Sequence, residues 1–384
     1  MRVVLVSKAY VLAAYHRKAE EIAALGVDLT LVVPPYWRDE RGTMPLEPGE
    51  ARGYRRVVLP IALNGHYHLH WNRGLARLLG EVRPDIVHIE EEPYNLATFL
   101  ATAAAGSVGA APVFFTWQNL NRRYPLPFHL MECYCHRKAA HAIAGTQDAA
   151  AVLRAKGYRG PTAVIPQVGV DPQSFSPAEQ QPAENRAADF PRDGFVVGYV
   201  GRLMPEKGVD LLLQALAGLT APWSLLVLGS GPEKEKLRRL ADELAIAERV
   251  EFLPPVPSCQ LPDHLRRLSC LVLPSRSLPN WREQFGRVLV EAMACGVPVI
   301  GSTCGEIPNV IGDAGLTFSE GNVEGLRQAL CQLQQEPGLR TRLAGAGRQR
   351  VLEQFTQAQV AQATVTVYER VLAGARAGRR RSAQ

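Results

Sequence analysis

Along this chain, short runs of β-branched, aliphatic and aromatic residues alternate with longer stretches in which Leu, Ala and Arg recur at helical spacing. The first kind reads as buried parallel strands and the second as the helices that cover them, the pattern of repeated βαβ units. Strands are expected at residues 3–7, 29–33, 56–60, 86–90, 113–116 and 142–144, with helices between them such as 15–25 and 72–81. From 171 to 193 the periodicity stops, and Pro, Gln, Glu and Ala dominate as they do in a linker. The alternation restarts with strands at 195–200, 225–228, 250–253, 270–273 and 297–300, and closes in helices from Glu324 onward. The expected fold class is α/β, two Rossmann-like doubly wound parallel-sheet domains. We place the first at 1–175, a linker at 176–193, the second at 194–364, and at 365–384 a C-terminal helix and basic tail that packs back toward the first domain. Ligands of such sheets gather beyond the carboxyl ends of the strands, so the two domains would face a shared cleft and the loops that follow strands would carry the chemistry.

Composition narrows the function. The balance of 47% hydrophobic and 21% charged residues over 384 positions suits a globular chain and excludes a disordered or fibrous one. A net charge of +6 favours phosphorylated ligands or an anionic membrane surface and falls short of a nucleic-acid footprint. The one dense basic cluster, Arg376, Arg379, Arg380 and Arg381, reads as a solvated end with at most a weak peripheral attraction to membrane lipid. Seven cysteines at irregular spacing argue for a reducing compartment, hence a cytoplasmic protein, free or peripheral on the inner face of the membrane. Cys133 and Cys135, with His129, His136 and His141, match no zinc spacing, and neither a metal nor a cofactor is expected. The apolar run at 3–7 is too short for a signal peptide, and the uncharged stretch 93–121, interrupted by Pro112, reads as a buried helix and strand and not as a membrane span.

Two segments that follow strands carry candidate chemistry. Gly201-Arg202-Leu203-Met204-Pro205-Glu206-Lys207-Gly208 precedes a helix expected at 210–216. Arg202 and Lys207 there would meet a diphosphate together with backbone N–H groups and a helix dipole; a plain surface loop is the equal alternative. The second runs from Glu283-Gln284-Phe285-Gly286-Arg287 to Glu291-Ala292-Met293-Ala294-Cys295-Gly296, a helix that starts near Phe285-Gly286 and stops at Gly296. Glu283 and the N–H groups of the helix start can face one ligand rich in hydroxyls. Glu291 lies in an otherwise apolar helix and needs a polar partner, because a buried carboxylate alone is costly. Taken singly, Glu283 reads equally well as a cap and Glu291 as a solvated helix residue. His66, His68, His70 and Trp71, with Glu90, Glu91, Glu92 and Tyr94, line the acceptor side of a site or belong to surface loops, and spacing alone does not separate the two.

Gly201-Arg202 with Lys207-Gly208, then Glu283-x7-Glu291 and Ala292-Met293-Ala294-Cys295-Gly296-Val297-Pro298-Val299, together resemble the family-four retaining glycosyltransferases of the GT-B fold. Ile165-Pro166 with Gly169-Val170-Asp171 and Phe175 resembles that family's interdomain connection, and the resemblance is close over residues 164–315. It implies transfer of a hexose-type sugar, with retention, from a nucleoside diphosphate (uridine-linked before guanosine-linked) to a carbohydrate or lipid-linked acceptor of the cell envelope. It also implies roles: Arg202 and Lys207 hold the diphosphate and stabilise the departing nucleotide in place of a metal, Glu291 bonds the ribose hydroxyls, and Glu283, with the N–H groups of Phe285 and Gly286, contacts the donor sugar. No Asp-x-Asp triplet occurs in the chain, in keeping with that scheme.

The first half departs from the family. Ser7-Lys8-Ala9-Tyr10-Val11-Leu12-Ala13-Ala14-Tyr15-His16-Arg17 stands where members carry a Gly-Gly loop, and Thr116-Trp117-Gln118-Asn119 puts Gln118 where many have a His beside the donor sugar. Gln118 can hydrogen-bond a sugar but cannot act as a base, and front-face departure of the leaving group requires none. Two other readings remain: a nucleotide-sugar epimerase or phosphorylase of the same fold, and a catalytically inactive sugar-nucleotide-binding protein.

Overall fold

Runs such as Val3-Val4-Leu5, with no exposed surface at all, can be stable only where both faces of a sheet are covered. The computed structural model describes residues 1–39, 42–177, 194–220 and 222–382, of which 376–382 are described as helical backbone alone. Positions 178–193 of the expected linker and the side chains of the basic tail therefore lie outside the described residues. The chain divides into two compact units, Met1–Gly169 with Gln357–Gln384, and Val170–Thr356.

The first unit holds a seven-stranded sheet of β1 (Arg2–Val6), β2 (Asp28–Val33), β3 (Arg55–Val58), β4 (Ile86–Ile89), β5 (Ala111–Thr116), β6 (His141–Ala144) and β7 (Thr162–Val164), in the order β7-β6-β5-β4-β1-β2-β3. Every pairing is parallel. The second unit repeats the plan with β8 (Phe195–Val200), β9 (Trp223–Leu228), β10 (Val250–Leu253), β11 (Cys270–Leu273), β12 (Val299–Ser302) and β13 (Leu316–Phe318), ordered β10-β9-β8-β11-β12-β13 and again parallel. Each sheet thus reverses its strand order once, between β1 and β4 in the first and between β8 and β11 in the second.

Two edge strands, β7 and β13, are absent from the sequence expectation because three residues are too few to show a period. The hairpins Tyr36–Asp39 with Gly42–Pro45 and Ile61–Ala62 with Trp71–Asn72 escape it for the same reason. The strand expected at 297–300 begins only at Val299, since Pro298 has no N–H to give the ladder. The uncharged stretch around residue 100 forms the helix Leu96–Ser107 followed by β5, and among the described residues no helix is long and apolar enough to cross a membrane.

The units part a few residues before the boundaries expected at 175 and 364. Gln357 donates to the Gly169 carbonyl at 2.8 Å and accepts from the Gly169 N–H at 3.2 Å, which closes the first unit. Next to it, the Val170 N–H donates to the Phe355 carbonyl at 2.8 Å and closes the second. The terminal helix Gln357–Ser382 lends Val360, Ala361, Val365 and Tyr368 to the same core as Leu5, Ile22 and Leu31. Tyr368 is fully buried and its hydroxyl is hydrogen-bonded to His88 Nδ1 of β4 at 2.7 Å. Burial holds the His88 imidazole down at about 4, so it stays neutral at physiological pH. Tyr368→Phe strands the His88 nitrogen and should cost about 1–3 kcal/mol in urea unfolding at pH 7; an unchanged midpoint would show that this contact does not help dock the terminal helix.

Candidate active site

In doubly wound sheets the strand-order reversal opens a crevice beyond the carboxyl ends of the two central strands. At the reversal of the second sheet, the loop after β8 supplies Lys207 and the loop after β11 supplies Ser275, Trp281 and Glu283. Lys207 Nζ lies 2.6 Å from Glu283 Oε2 and 4.7 Å from the centroid of the Trp281 ring. The Ser275 hydroxyl donates to the same Glu283 oxygen at 2.9 Å, and the Ser302 hydroxyl at the end of β12 donates to the Ser275 carbonyl. Both partners of the ion pair are largely withdrawn from water, with side chains 14% and 10% exposed.

The backbone around Glu283 is equally fixed. Its carbonyl accepts from the Glu306 N–H at 3.3 Å, and its N–H donates to Cys304 Sγ at 3.5 Å. Gly305, at φ +55°, passes so close that a Cβ there would stand 2.1 Å from the Glu283 carbonyl oxygen. Gly208, at φ +67°, is held as tightly, since a Cβ would meet the Pro274 carbonyl at 2.1 Å. That glycine starts the helix Val209–Ala217 directly after Lys207. Arg276 clamps the same loop through the Pro205 carbonyl at 2.9 Å and both Asp210 oxygens at 3.0 and 3.1 Å.

Of the other expected residues, Arg202 is exposed and its carbonyl accepts the Tyr199 hydroxyl at 2.7 Å. Gly286, at φ +74°, begins the helix Arg287–Ala294 without a side-chain cap, and Phe285 packs edge-on against Phe355 with centroids 5.8 Å apart. Glu291 is buried, and its polar partner is Arg287 one turn earlier, at 2.8 Å. Burial raises the Glu291 carboxyl although Arg287 opposes it. Gln118 belongs to the first unit, where its N–H donates to Thr116 Oγ1 at 3.1 Å and its Nε2 to the Tyr124 hydroxyl at 3.5 Å. Ser275, Trp281 and Arg276 escape sequence reasoning, whereas Gly305 lies in a loop that the sequence marks by its place after the strand expected at 297–300. Ser275 and Arg276 directly follow a buried strand, which is the signal that could have selected them.

The first sheet's reversal carries a second polar cluster, in which Glu90, Glu91 and His70 are buried while His66 and His68 are exposed. Lys8 follows β1 and Glu91 follows β4, and the two form an ion pair with the Lys8 ammonium 5.0 Å from the Trp37 ring centroid. His70 Nε2 adds to the pair from 3.5 Å. Burial alone would raise the Glu91 carboxyl, but Lys8 and His70 outweigh it and hold it down at about 2. Glu90 pairs with Lys18 at 2.6 Å and accepts from Gln167 at 3.1 Å, both members of the pair almost wholly buried. Burial raises Glu90 too, and Lys18, His88 and Gln167 bring it below its ordinary range. Among the described residues no group of three or more His, Cys, Asp or Glu is placed to hold a metal ion.

Comparison with known proteins adds the following. A family model described as glycosyl transferases group 1 matches residues 180–350, and one described as glycosyltransferase family 4 matches residues 15–174. A D-inositol 3-phosphate glycosyltransferase of Streptomyces bingchenggensis is 32% identical over 253 residues, covering 62% of this chain and 54% of that protein. The chain thus spans about half the length of the curated relatives it matches. Sucrose-phosphate synthase from Thermosynechococcus elongatus superposes with a TM-score of 0.72 at 20% identity, over 97% of this chain and 100% of that one. HepE of Anabaena, solved in complex with UDP, gives 0.71 at 18% identity over 96% and 99%. Both likenesses concern the fold, which is GT-B.

The Glu91 pair sets an acid sensitivity. A carboxyl held near 2 in the folded chain contributes stability above its unfolded value of about 4.3 and loses it as the pH falls between the two. Lys8→Met should cost about 2 kcal/mol at pH 7, read by urea unfolding, and should flatten the loss of stability between about pH 5 and pH 3. An acid profile as steep as the parent's would remove the pair from this account.

Proposed function

Because the chain belongs to the family-four glycosyltransferases of the GT-B fold, we propose that it is a retaining, metal-independent transferase that moves a hexose-type sugar from a nucleoside diphosphate, UDP before GDP, to a carbohydrate or lipid-linked acceptor. The observation that carries this reading is the Lys207–Glu283 pair at the strand-order reversal, sheltered by Trp281 and backed by the start of the helix Val209–Ala217. An arriving diphosphate takes the place of the Glu283 carboxylate as the partner of Lys207, with exposed Arg202 as a second cation and the helix dipole behind. Glu283, released from the ammonium but still held by Ser275, then presents its charge to the donor sugar and favours positive character at the anomeric carbon. Arg202 and Lys207 stabilise the departing diphosphate, whose oxygen takes the acceptor's proton, and Gln118 orients the sugar by hydrogen bonds. Glu291 serves the ribose. The UDP bound to HepE supports the choice of uridine, and the curated relatives' named activity supports a hydroxyl acceptor.

A panel of nucleotide-sugars, followed for slow release of free diphosphate in the absence of acceptor, tests the assignment. Release from UDP-hexoses is expected; conversion of the free nucleotide-sugar into its epimer would point to an isomerase, and silence with every donor to a binding protein. Arg202→Ala and Lys207→Ala should each weaken UDP binding by about tenfold or more in calorimetry, in line with a lost charge-assisted hydrogen bond. Glu283→Gln should keep UDP binding and lower turnover by about 100-fold. Parental binding and rates in all three variants would sink the site.

A further inference from the structure

Glu92, the last of the three consecutive glutamates after β4, forms no ion pair among the described residues. Both of its carboxylate oxygens are occupied by the end of the next strand: Oε2 accepts the Thr116 hydroxyl at 2.6 Å, and Oε1 accepts the Trp117 N–H at 2.7 Å. Thr116 Oγ1 in turn accepts the Gln118 N–H at 3.1 Å. Gln118 Nε2 reaches the hydroxyl of Tyr124, whose ring stacks on Tyr94 with centroids 4.0 Å apart. Tyr94 lies two residues from Glu92, and the Glu92 carbonyl is fixed by the Asn95 N–H at 3.0 Å and the Thr98 hydroxyl at 2.7 Å. The contacts run in a ring from Glu92 through Thr116, Gln118, Tyr124 and Tyr94 back to the Glu92 backbone. On the far side, Trp117 Nε1 donates to Gln167 Oε1 at 3.0 Å, and Gln167 is held by Glu90.

Charge on Glu92 decides how this ring is wired. A carboxylate only accepts, so the Thr116 hydroxyl must point its proton at Glu92 and keep its lone pairs for the Gln118 N–H. A neutral acid or an amide at position 92 can donate to Thr116 Oγ1 instead. The Thr116 proton then turns away, and the oxygen has to accept from two donors at once. The carboxylate therefore enforces one orientation of Thr116 and one position of the backbone that carries Gln118.

We propose that Glu92 is a positioning residue for Gln118, its carboxylate setting the Thr116 hydroxyl and through it the placement of the Gln118 amide. This rests on the reading of Gln118 as a sugar-orienting group. Burial pushes the Glu92 carboxyl up to about 7, with the Glu91 charge adding to the rise and the Thr116, Trp117 and Lys8 interactions opposing it. The charged and titratable groups around it are Glu91 on its own loop, Lys8 after β1, and the Tyr94 and Tyr124 phenols, with His68 packed on both phenol rings and Lys156 over that of Tyr124. The single orientation of Thr116 is then lost as the pH falls through about 7.

Two measurements test this on the full chain. In the first, the side-chain amide resonance of Gln118, assigned by its loss in Gln118→Ala, is followed from pH 5.5 to pH 8.5; it should shift with a midpoint near 7 in the parent and not in Glu92→Gln. The second follows release of UDP from UDP-glucose. Glu92→Gln should lower kcat by about tenfold, the scale of a modest misplacement, with KM for the donor little changed, and should flatten the rise of kcat across neutral pH. Thr116→Val should reproduce that loss and Thr116→Ser should restore the parental rate, which keeps the test open should the Glu92 variant fail to fold. An amide shift that titrates in a parent releasing no UDP keeps the Glu92–Gln118 linkage and removes the transferase reading. A Gln118 resonance blind to pH in the parent, or parental kcat and pH profile in Thr116→Val, overturns the proposal.

Discussion

An ion pair taken out of water stands at the strand-order reversal of each sheet, and the loops around both are shaped by the need to satisfy it. Removing an ammonium and a carboxylate from solvent is costly, and attraction repays the cost only if the remaining donors and acceptors are met. The two sites meet them alike. Lys207 is covered by the Trp281 ring and Glu283 is bonded by Ser275; Lys8 is covered by the Trp37 ring and Glu91 is approached by His70. Aromatic faces suit this task because they exclude water while still attracting a cation. The backbone follows from the same demand: with Gly305 pressed against the Glu283 carbonyl and Gly208 against that of Pro274, neither loop can drift away from its partner.

The pairs differ in what lies beside them. Lys207 is followed at once by Gly208 and the helix Val209–Ala217, so its surroundings already favour an anion before any ligand arrives. On the proposed reading Glu283 occupies the place of that anion, so an arriving diphosphate exchanges with a carboxylate as the partner of Lys207. The Lys8–Glu91 pair is followed by two single-turn 3-10 helices, Ala9–Val11 and Ala13–Tyr15, before the α-helix His16–Ala24 begins. Its partners Trp37 and His70 are buried.

The sheets were legible because long apolar runs have few alternatives, and the edge strands and hairpins were not, because two to four residues carry no period. In the second unit, the glycine-flanked loop around Lys207 and the helix after Glu283 could be singled out in sequence, but the 2.6 Å contact between them depends on β8 and β11 lying side by side although β9 and β10 intervene in the chain. Trp281 and Ser275 act through that contact and were invisible without it. Glu291 illustrates a correct demand whose answer was local: the buried carboxylate did need a partner, and Arg287 stood one helical turn away in plain sight. Glu90, Glu91 and Glu92 were hardest to read, because a run of three acids ordinarily means a solvated loop.

Those three adjacent glutamates show how far environment separates identical side chains. All three lose solvation on folding, and that loss by itself raises every one of them. Glu90 and Glu91 end below their ordinary range because each meets a lysine, Lys18 and Lys8, brought over from the elements that flank β1. Glu92 points to β5 instead and hydrogen-bonds to two neutral donors, a hydroxyl and a peptide N–H, so desolvation wins over them and over the more distant Lys8, and its carboxyl rises to about 7. A neutral donor lowers a carboxyl by less than a cation does, and the result is a gradient of charge along three consecutive residues. The two fixed anions hold β4 to the segments that follow β1, whereas the adjustable one touches the strand end that bears Gln118. In a chain with no histidine at that position, the carboxyl that burial lifts to about 7 stands on the neighbouring strand end, joined to the Gln118 N–H through Thr116.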